Sequence, residues 1–223
     1  MKLELSGKPD PKELARLKKM SEIEERFYLK GYHLIAGVDE AGRGPLAGPV
    51  VAAACILPRN FLLKDLNDSK KLTPAKRTLL CNFLMESSDV CYGIGIVEAL
   101  VIDRINILQA TFLAMQKSIA KLSIQPDMAL VDGHLLPKLN MKALGIVTGD
   151  SLSVSIAAAS VIAKKTRDDL MEEYHQKWPE YGFNAHKGYG TKKHLEAIKK
   201  YGASAIHRLS FAPLKQTLKT LQT

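Results

Sequence analysis

Cysteine is scarce in this 223-residue chain: Cys55, Cys81 and Cys91 are odd in number, and no two stand as Cys-x-x-Cys. That argues against a disulfide framework and against a zinc site, and it suits the reducing cytoplasm. No apolar run approaches the roughly 18 residues that a membrane helix needs. The opening stretch "MKLELSGKPDPKEL" lacks a continuous apolar core and does not read as a secretory leader. Internal repeats and low-complexity tracts are absent too. Acids are in deficit, with 32 Lys+Arg against 23 Asp+Glu and a net charge of +9. A surplus of that size favours a polyanion, nucleic acid being the common one, although it could serve solubility alone. At 46% hydrophobic and 25% charged residues, the composition is otherwise that of a globular protein. The length suits one domain with some additions.

What is present begins with a helix over residues 10–29. Asp10 can cap it, Pro11 fits its first position and Glu13 stands where a capping-box acid would. Leu14, Leu17, Ile23 and Phe27 supply its inner face. Residues 1–31 are therefore read as a helical extension and 32–223 as the main domain. Within the latter, "HLIAGV" (33–38), "PVVAAACIL" (49–57), "VCYGIGIVE" (90–98), "MALVD" (128–132) and "KALGIV" (142–147) have strand composition. Helices are expected in "TPAKRTLLCNFLMES", over 100–122, where apolar residues recur every three or four positions, over about 152–177, over 191–201 and in "LKQTLKTL". Three early strands followed by alternating strand and helix predict an α/β domain, a mixed sheet with helices on its faces.

Between the first two strands lies "AGVDEAGRGPLAGPV", with adjacent acids Asp39 and Glu40 among four glycines and two prolines. Neighbouring strand residues point to opposite faces, so both acids reach one pocket only if the strand ends or bulges there. Asp132 ends "MALVD", and Asp150 follows "KALGIVTG" just before the long helix. Singly, Asp150 could be a helix cap and Asp132 a turn residue. Jointly, three strand ends delivering acid to one edge make a site, because ligands gather beyond strand ends in open α/β sheets. Four converging carboxylates repel one another unless cations intervene. An all-oxygen set suits Mg²⁺ or Mn²⁺, and two such ions suit phosphodiester hydrolysis, one activating the attacking water and one stabilising the leaving oxygen. "GVDEAGRG" is not a phosphate loop, since Arg43 and Gly44 replace the required Lys and Ser/Thr.

These residues resemble bacterial ribonuclease HII from about Tyr32 to Leu214. The resemblance rests on "GVDEAGRGPLAGPVVAAA", "NDSKKL", "VDG", "GD", "AAASVIAKKTRD", "HKGYGTKKH" and "HRLSF". It implies a ribonuclease H-like five-stranded mixed sheet with extra C-terminal helices that bind substrate. It also implies an endoribonuclease that cuts RNA paired with DNA, and cuts 5′ of single ribonucleotides embedded in duplex DNA. The products would carry 3′-hydroxyl and 5′-phosphate ends, with roles in ribonucleotide removal and primer removal. By this resemblance Asp39, Glu40, Asp132 and Asp150 are the metal-binding catalytic acids for two Mg²⁺ or Mn²⁺ ions. Gly42, Arg43 and Gly44 sense the 2′-hydroxyl, and Tyr189 stacks on the neighbouring deoxyribose. Ser69, Lys70, Lys71 and Lys164 are candidates for phosphate contacts, while Asp168 is assigned to structure and Asn106 matches a family position without a derived role. The related ribonuclease HIII family typically carries Gly-Lys-Gly and a larger N-terminal domain, so Arg43 favours HII. The expected state is a cytoplasmic monomer. Two other classes remain, a hybrid-binding protein without activity and a metal nuclease indifferent to the sugar.

Overall fold

A computed structural model describes residues 9–215. Five strands form one mixed sheet: β1 (Ile35–Ala41), β2 (Val50–Ile56), β3 (Cys91–Val97), β4 (Met128–Asp132) and β5 (Lys142–Ile146). Their order is β3-β2-β1-β4-β5. The first three pair antiparallel, while β4 lies parallel to both β1 and β5. Seven α-helices are present among the described residues: α1 (Pro11–Met20), α2 (Glu22–Tyr28), α3 (Pro74–Glu86), α4 (Ala99–Ala120), α5 (Val154–Lys177), α6 (Phe183–His186) and α7 (Lys192–Tyr201).

The centre of the sheet is covered on both sides. Every residue of β2 is buried, and its side chains alternate between two cores. Ala53 and Cys55 meet α3 and α5, while Ala52, Ala54 and Ile56 meet α4. The small residues of "VVAAAC" let the helices approach closely, and the two glycines of "YGIGIV" carry this furthest. A side-chain carbon at Gly95 would lie 1.9 Å from the Ala114 carbonyl oxygen of α4. Gly37 does the same for α5, where such a carbon would lie 2.0 Å from the Ser155 backbone. That contact seats the start of α5 directly over β1.

Two helices differ from the sequence expectations, and one expected helix goes untested. The N-terminal helix is two helices parted at Ser21, whose hydroxyl donates to the Leu17 carbonyl at 3.0 Å and competes with helical bonding. Asp10 caps α1 by accepting from the Glu13 N–H at 2.8 Å. The Glu13 carboxylate, however, binds Arg16 and the Asp65 N–H in place of closing a capping box. Helix α4 contains a break at Asn106, with φ 65° and ψ 166°. The Asn106 side-chain oxygen accepts from the N–H groups of Leu108 (3.0 Å) and Gln109 (3.1 Å), so it caps the second half of its own helix. The segment "LKQTLKTL" lies mostly outside the described residues.

The N-terminal pair is built into the domain through a buried acid. Glu24 of α2 is 4% exposed, and its Oε1 accepts from both hydroxyls of Ser153 and Ser155 and from the Ser155 N–H. A carboxylate at the first turn of α5 complements the positive end of that helix. No described helix is long and apolar enough to cross a membrane.

Candidate active site

Strand β1 runs past both acids and ends at Ala41, just before the glycine-rich turn. Its pairing with β2 runs on through Asp39↔Ala53 and Glu40↔Ala52 to Ala41↔Val51. Both acids nevertheless line one cavity of about 260 Å³, with Asp132, Gly42–Gly44, Ser69, Lys70, Ser160, Lys164, Arg167 and Tyr189. Asp39 is 3% exposed, while Glu40 is less buried and pairs with Arg43 at 3.3 Å.

Asp132 stands at the end of β4, the strand parallel to β1. Its Oδ1 accepts from the Gly149 N–H at 2.7 Å, which ties it to the turn Gly149–Ser151 that carries Asp150. Asp150 is not the cap of α5. That place belongs to Ser153, whose side chain accepts from Ile156. Freed from capping, Asp150 joins Asp39 and Asp132, and one carboxylate oxygen from each lies within 4.8 Å of the others. Glu40 is outside this trio, so the structure brings three of the four predicted acids together and keeps the fourth on the cavity wall.

Two members of the trio are held above their usual range. Burial, with repulsion from Glu40 and Asp132, holds the Asp39 carboxyl well above its usual range, against the pull of the Ser160 hydroxyl and the Glu40 N–H. Burial and the nearby Asp68 and Asp132 also raise Asp150, although Lys70 opposes this from 3.3 Å. Burial raises Glu40, with Arg43 working the other way. A close set of carboxylate oxygens, with the ionised forms of Asp39 and Asp150 disfavoured by burial and neighbouring acids, fits hard divalent cations such as Mg²⁺ or Mn²⁺.

The predicted phosphate contacts divide. Lys70 reaches the acids, whereas Lys71 bonds the Ser151 hydroxyl at 2.9 Å and lines a separate hollow with Arg16, Lys19 and Arg26. Ser69 is buried and accepts from the Ser160 hydroxyl at 2.9 Å. Lys164 lines the cavity and pairs with Asp168, which also binds Arg77 at 3.2 Å. Burial lowers the Lys164 ammonium below its usual range.

The glycine loop rests on two arginines that sequence reasoning did not assign. Arg208 is fully buried, and its guanidinium donates to the carbonyls of Gly42 (2.6 Å), Arg43 (2.8 Å) and Gly48 (2.9 Å). Arg167 of α5, 1% exposed, donates to Pro49, Ala47 and Lys187 at 3.0–3.1 Å and so joins the glycine loop to the Tyr189 loop. Neither guanidinium has a carboxylate in salt-bridge range among the described residues. Burial lowers Arg167 to about 10, and burial with repulsion from Arg167 lowers Arg208 to about 9. Gly42 has φ +94°, and a side-chain carbon there would lie 2.0 Å from Arg167 Nε, so no other residue fits. Tyr189, 48% exposed, faces this loop, its Cε1 3.6 Å from where a side-chain carbon of Gly44 would be.

A family model described as Ribonuclease HII matches residues 36–214. Ribonuclease HII of Chlamydia caviae is 57% identical over 197 residues, covering 88% of this chain and 92% of its own. That of Desulfitobacterium hafniense is 52% identical over 206 residues, covering 92% and 79%. Among solved structures, ribonuclease H2 of Pyrococcus horikoshii superposes with a TM-score of 0.69 at 27% identity, over 85% of this chain and 99% of its own. The Mn²⁺ complex of Bst ribonuclease HIII shares the fold, with a TM-score of 0.67 at 20% identity over 84% and 70%. The chain belongs to the ribonuclease HII family, and it is a nuclease, a hydrolase with ribonuclease H activity.

Proposed function

We propose that this nuclease hydrolyses the RNA strand of RNA/DNA hybrids and cuts duplex DNA on the 5′ side of a single embedded ribonucleotide. The products carry a 3′-hydroxyl and a 5′-phosphate. The observation that carries the reading is the trio Asp39, Asp132 and Asp150, within 4.8 Å and mutually repelling. With Glu40 these acids would hold two Mg²⁺ or Mn²⁺ ions, which supply charge neutralisation and a nucleophilic water at neutral pH. The Mn²⁺ bound to Bst ribonuclease HIII supports that assignment.

The chain's own residues bind and orient the strand. Lys70, beside Asp150, receives a backbone phosphate, with Ser69, Lys71 and Lys164 as further candidates. The carbonyls of Gly42 and Arg43 are engaged by Arg208, so the loop offers a 2′-hydroxyl its N–H groups and the Arg43 side chain. Tyr189 stacks on the next sugar, and the C-terminal helices extend the contact. Helices α1 and α2 form a packing extension that buttresses α5 through Glu24. In this reading the protein acts as a cytoplasmic monomer in ribonucleotide and primer removal.

The test is cleavage of a labelled duplex with one ribonucleotide, with Mg²⁺, Mn²⁺ or chelator, against an all-DNA control. A metal-dependent cut 5′ of the ribonucleotide is expected. Comparable cutting of the all-DNA duplex would overturn sugar sensing, and binding without any product would replace the enzyme reading with a binding one.

A further inference from the structure

The second sugar-facing loop is held by a chain of buried histidines. His194 of α7 is 0% exposed and His207 is 3% exposed. The His194 Nδ1 lies 2.9 Å from the Tyr189 carbonyl oxygen, which accepts only, so Nδ1 carries the proton. In the neutral ring Nε2 is then an acceptor. It lies 3.0 Å from His207 Nε2, which must therefore donate. His207 Nδ1 is left to accept, and the Ser204 N–H (2.9 Å) and hydroxyl (2.8 Å) point at it. All polarities agree. The chain runs from Ser204 through His207 and His194 to the Tyr189 backbone with one tautomer possible at each ring.

The surroundings keep both rings neutral. Phe183 packs edge-on against His194 at 5.5 Å, and Tyr181 lies 5.0 Å from His207. The titratable groups that meet the pair are His186, stacked on His194 at 4.4 Å, and Tyr181. His186 is itself engaged, its Nε2 at 2.7 Å from the Tyr181 carbonyl and its Nδ1 accepting from Gly188. A proton added to either ring of the pair would set N–H against N–H. Other bonds help to fix the loop backbone. Leu46 donates to Gly188, Tyr189 donates to His186, and Thr191 joins His194 on the Tyr189 carbonyl.

We infer that His194 and His207 are positioning residues for substrate recognition: a neutral two-histidine relay fixes the main chain at Tyr189, so that its ring stands where it meets the sugar. This rests on the reading of Tyr189 as a substrate contact. It also gives the dipeptide His207-Arg208 one task, since His207 governs the Tyr189 loop while Arg208 governs the glycine loop opposite. Preorganisation of this kind matters because small misplacements of a positioning group cost large factors in rate.

Two measurements on the full chain test it. The imidazole ¹⁵N shifts should show His194 protonated at Nδ1 alone and His207 at Nε2 alone at neutral pH; reversed tautomers or a charged ring would overturn the relay. His194→Phe should lower kcat/KM on the single-ribonucleotide duplex by roughly ten- to a hundredfold. His194→Asn, whose amide still donates to the Tyr189 carbonyl, should restore most of it. In a Tyr189→Ala background, His194→Phe should have no further effect. An equal loss there would show that His194 does not act through Tyr189. Should Tyr189→Ala alone leave turnover unchanged, the substrate contact fails and the positioning role with it, whereas wrong tautomers overturn the relay while Tyr189→Ala remains impaired.

Discussion

The walls of the cavity rest on two regions held by opposite means. On one, Asp39, Asp132 and Asp150 bring like charges within 4.8 Å, and the fold holds them there against their repulsion. On the other, Arg208, Arg167, His194 and His207 are buried without carboxylate partners, yet nearly every polar atom is spent on a backbone carbonyl or a neighbouring ring. The first wall is in tension that a divalent cation would relieve. The second is already satisfied and holds its shape before any substrate arrives. Chemistry that neutralises charge thus sits beside recognition that depends on backbone placement.

Removing charge should therefore act in opposite directions on the two walls. Asp132→Asn should abolish cleavage, with a loss well above the roughly 10- to 100-fold typical of an outer partner of a metal ligand, while circular dichroism shows an intact fold. Asp39→Asn should be equally inactive but should melt higher than the parent in chelator, since it relieves burial and repulsion. A lower melting point would break the contrast. Arg208→Met should do the reverse, costing about 3–5 kcal/mol in denaturant unfolding because three carbonyls lose a charged donor. Unchanged stability would mean that the glycine loop does not depend on Arg208.

The histidine wall should also show in acid. Burial lowers His194 and His207 from an ordinary 6.5 to about 4, so the unfolded chain binds more protons between those values. Stability is then full above pH 6.5 and is lost as pH falls toward 4. Replacing His207 with Gln should flatten that part of the profile, as measured by melting temperature against pH.

The strands were legible because apolar runs of strand length stand between turn residues, and all five are present near their expected positions. The acids were legible because they stand at or near the ends of those runs. Three things were not. The extension of β1 through Glu40 to Ala41 depends on pairing with β2, which local composition does not encode. The break at Asn106 lies inside an uninterrupted apolar period, and only the tolerance of asparagine for positive φ permits it. The arginines and histidines of the recognition wall bond to backbone far away in sequence, as Arg208 does to Gly42, so no motif spacing reveals their partners. Side-chain type exposes a site of like charges, but hides one built on main-chain carbonyls.

The smallest expected effect is at Lys70, beside the acidic wall. Its ammonium lies 3.3 Å from Asp150, but the side chain is 73% exposed. A pair so open to water contributes less than about 1 kcal/mol, so Lys70→Ala should leave the melting point nearly unchanged. Binding should respond instead. If Lys70 receives a backbone phosphate, the salt dependence of duplex affinity, read as the slope of log K against log salt, should fall in magnitude by about 1. An unchanged slope with reduced turnover would assign Lys70 to Asp150 alone, moving it from strand binding to the tension of the acidic wall.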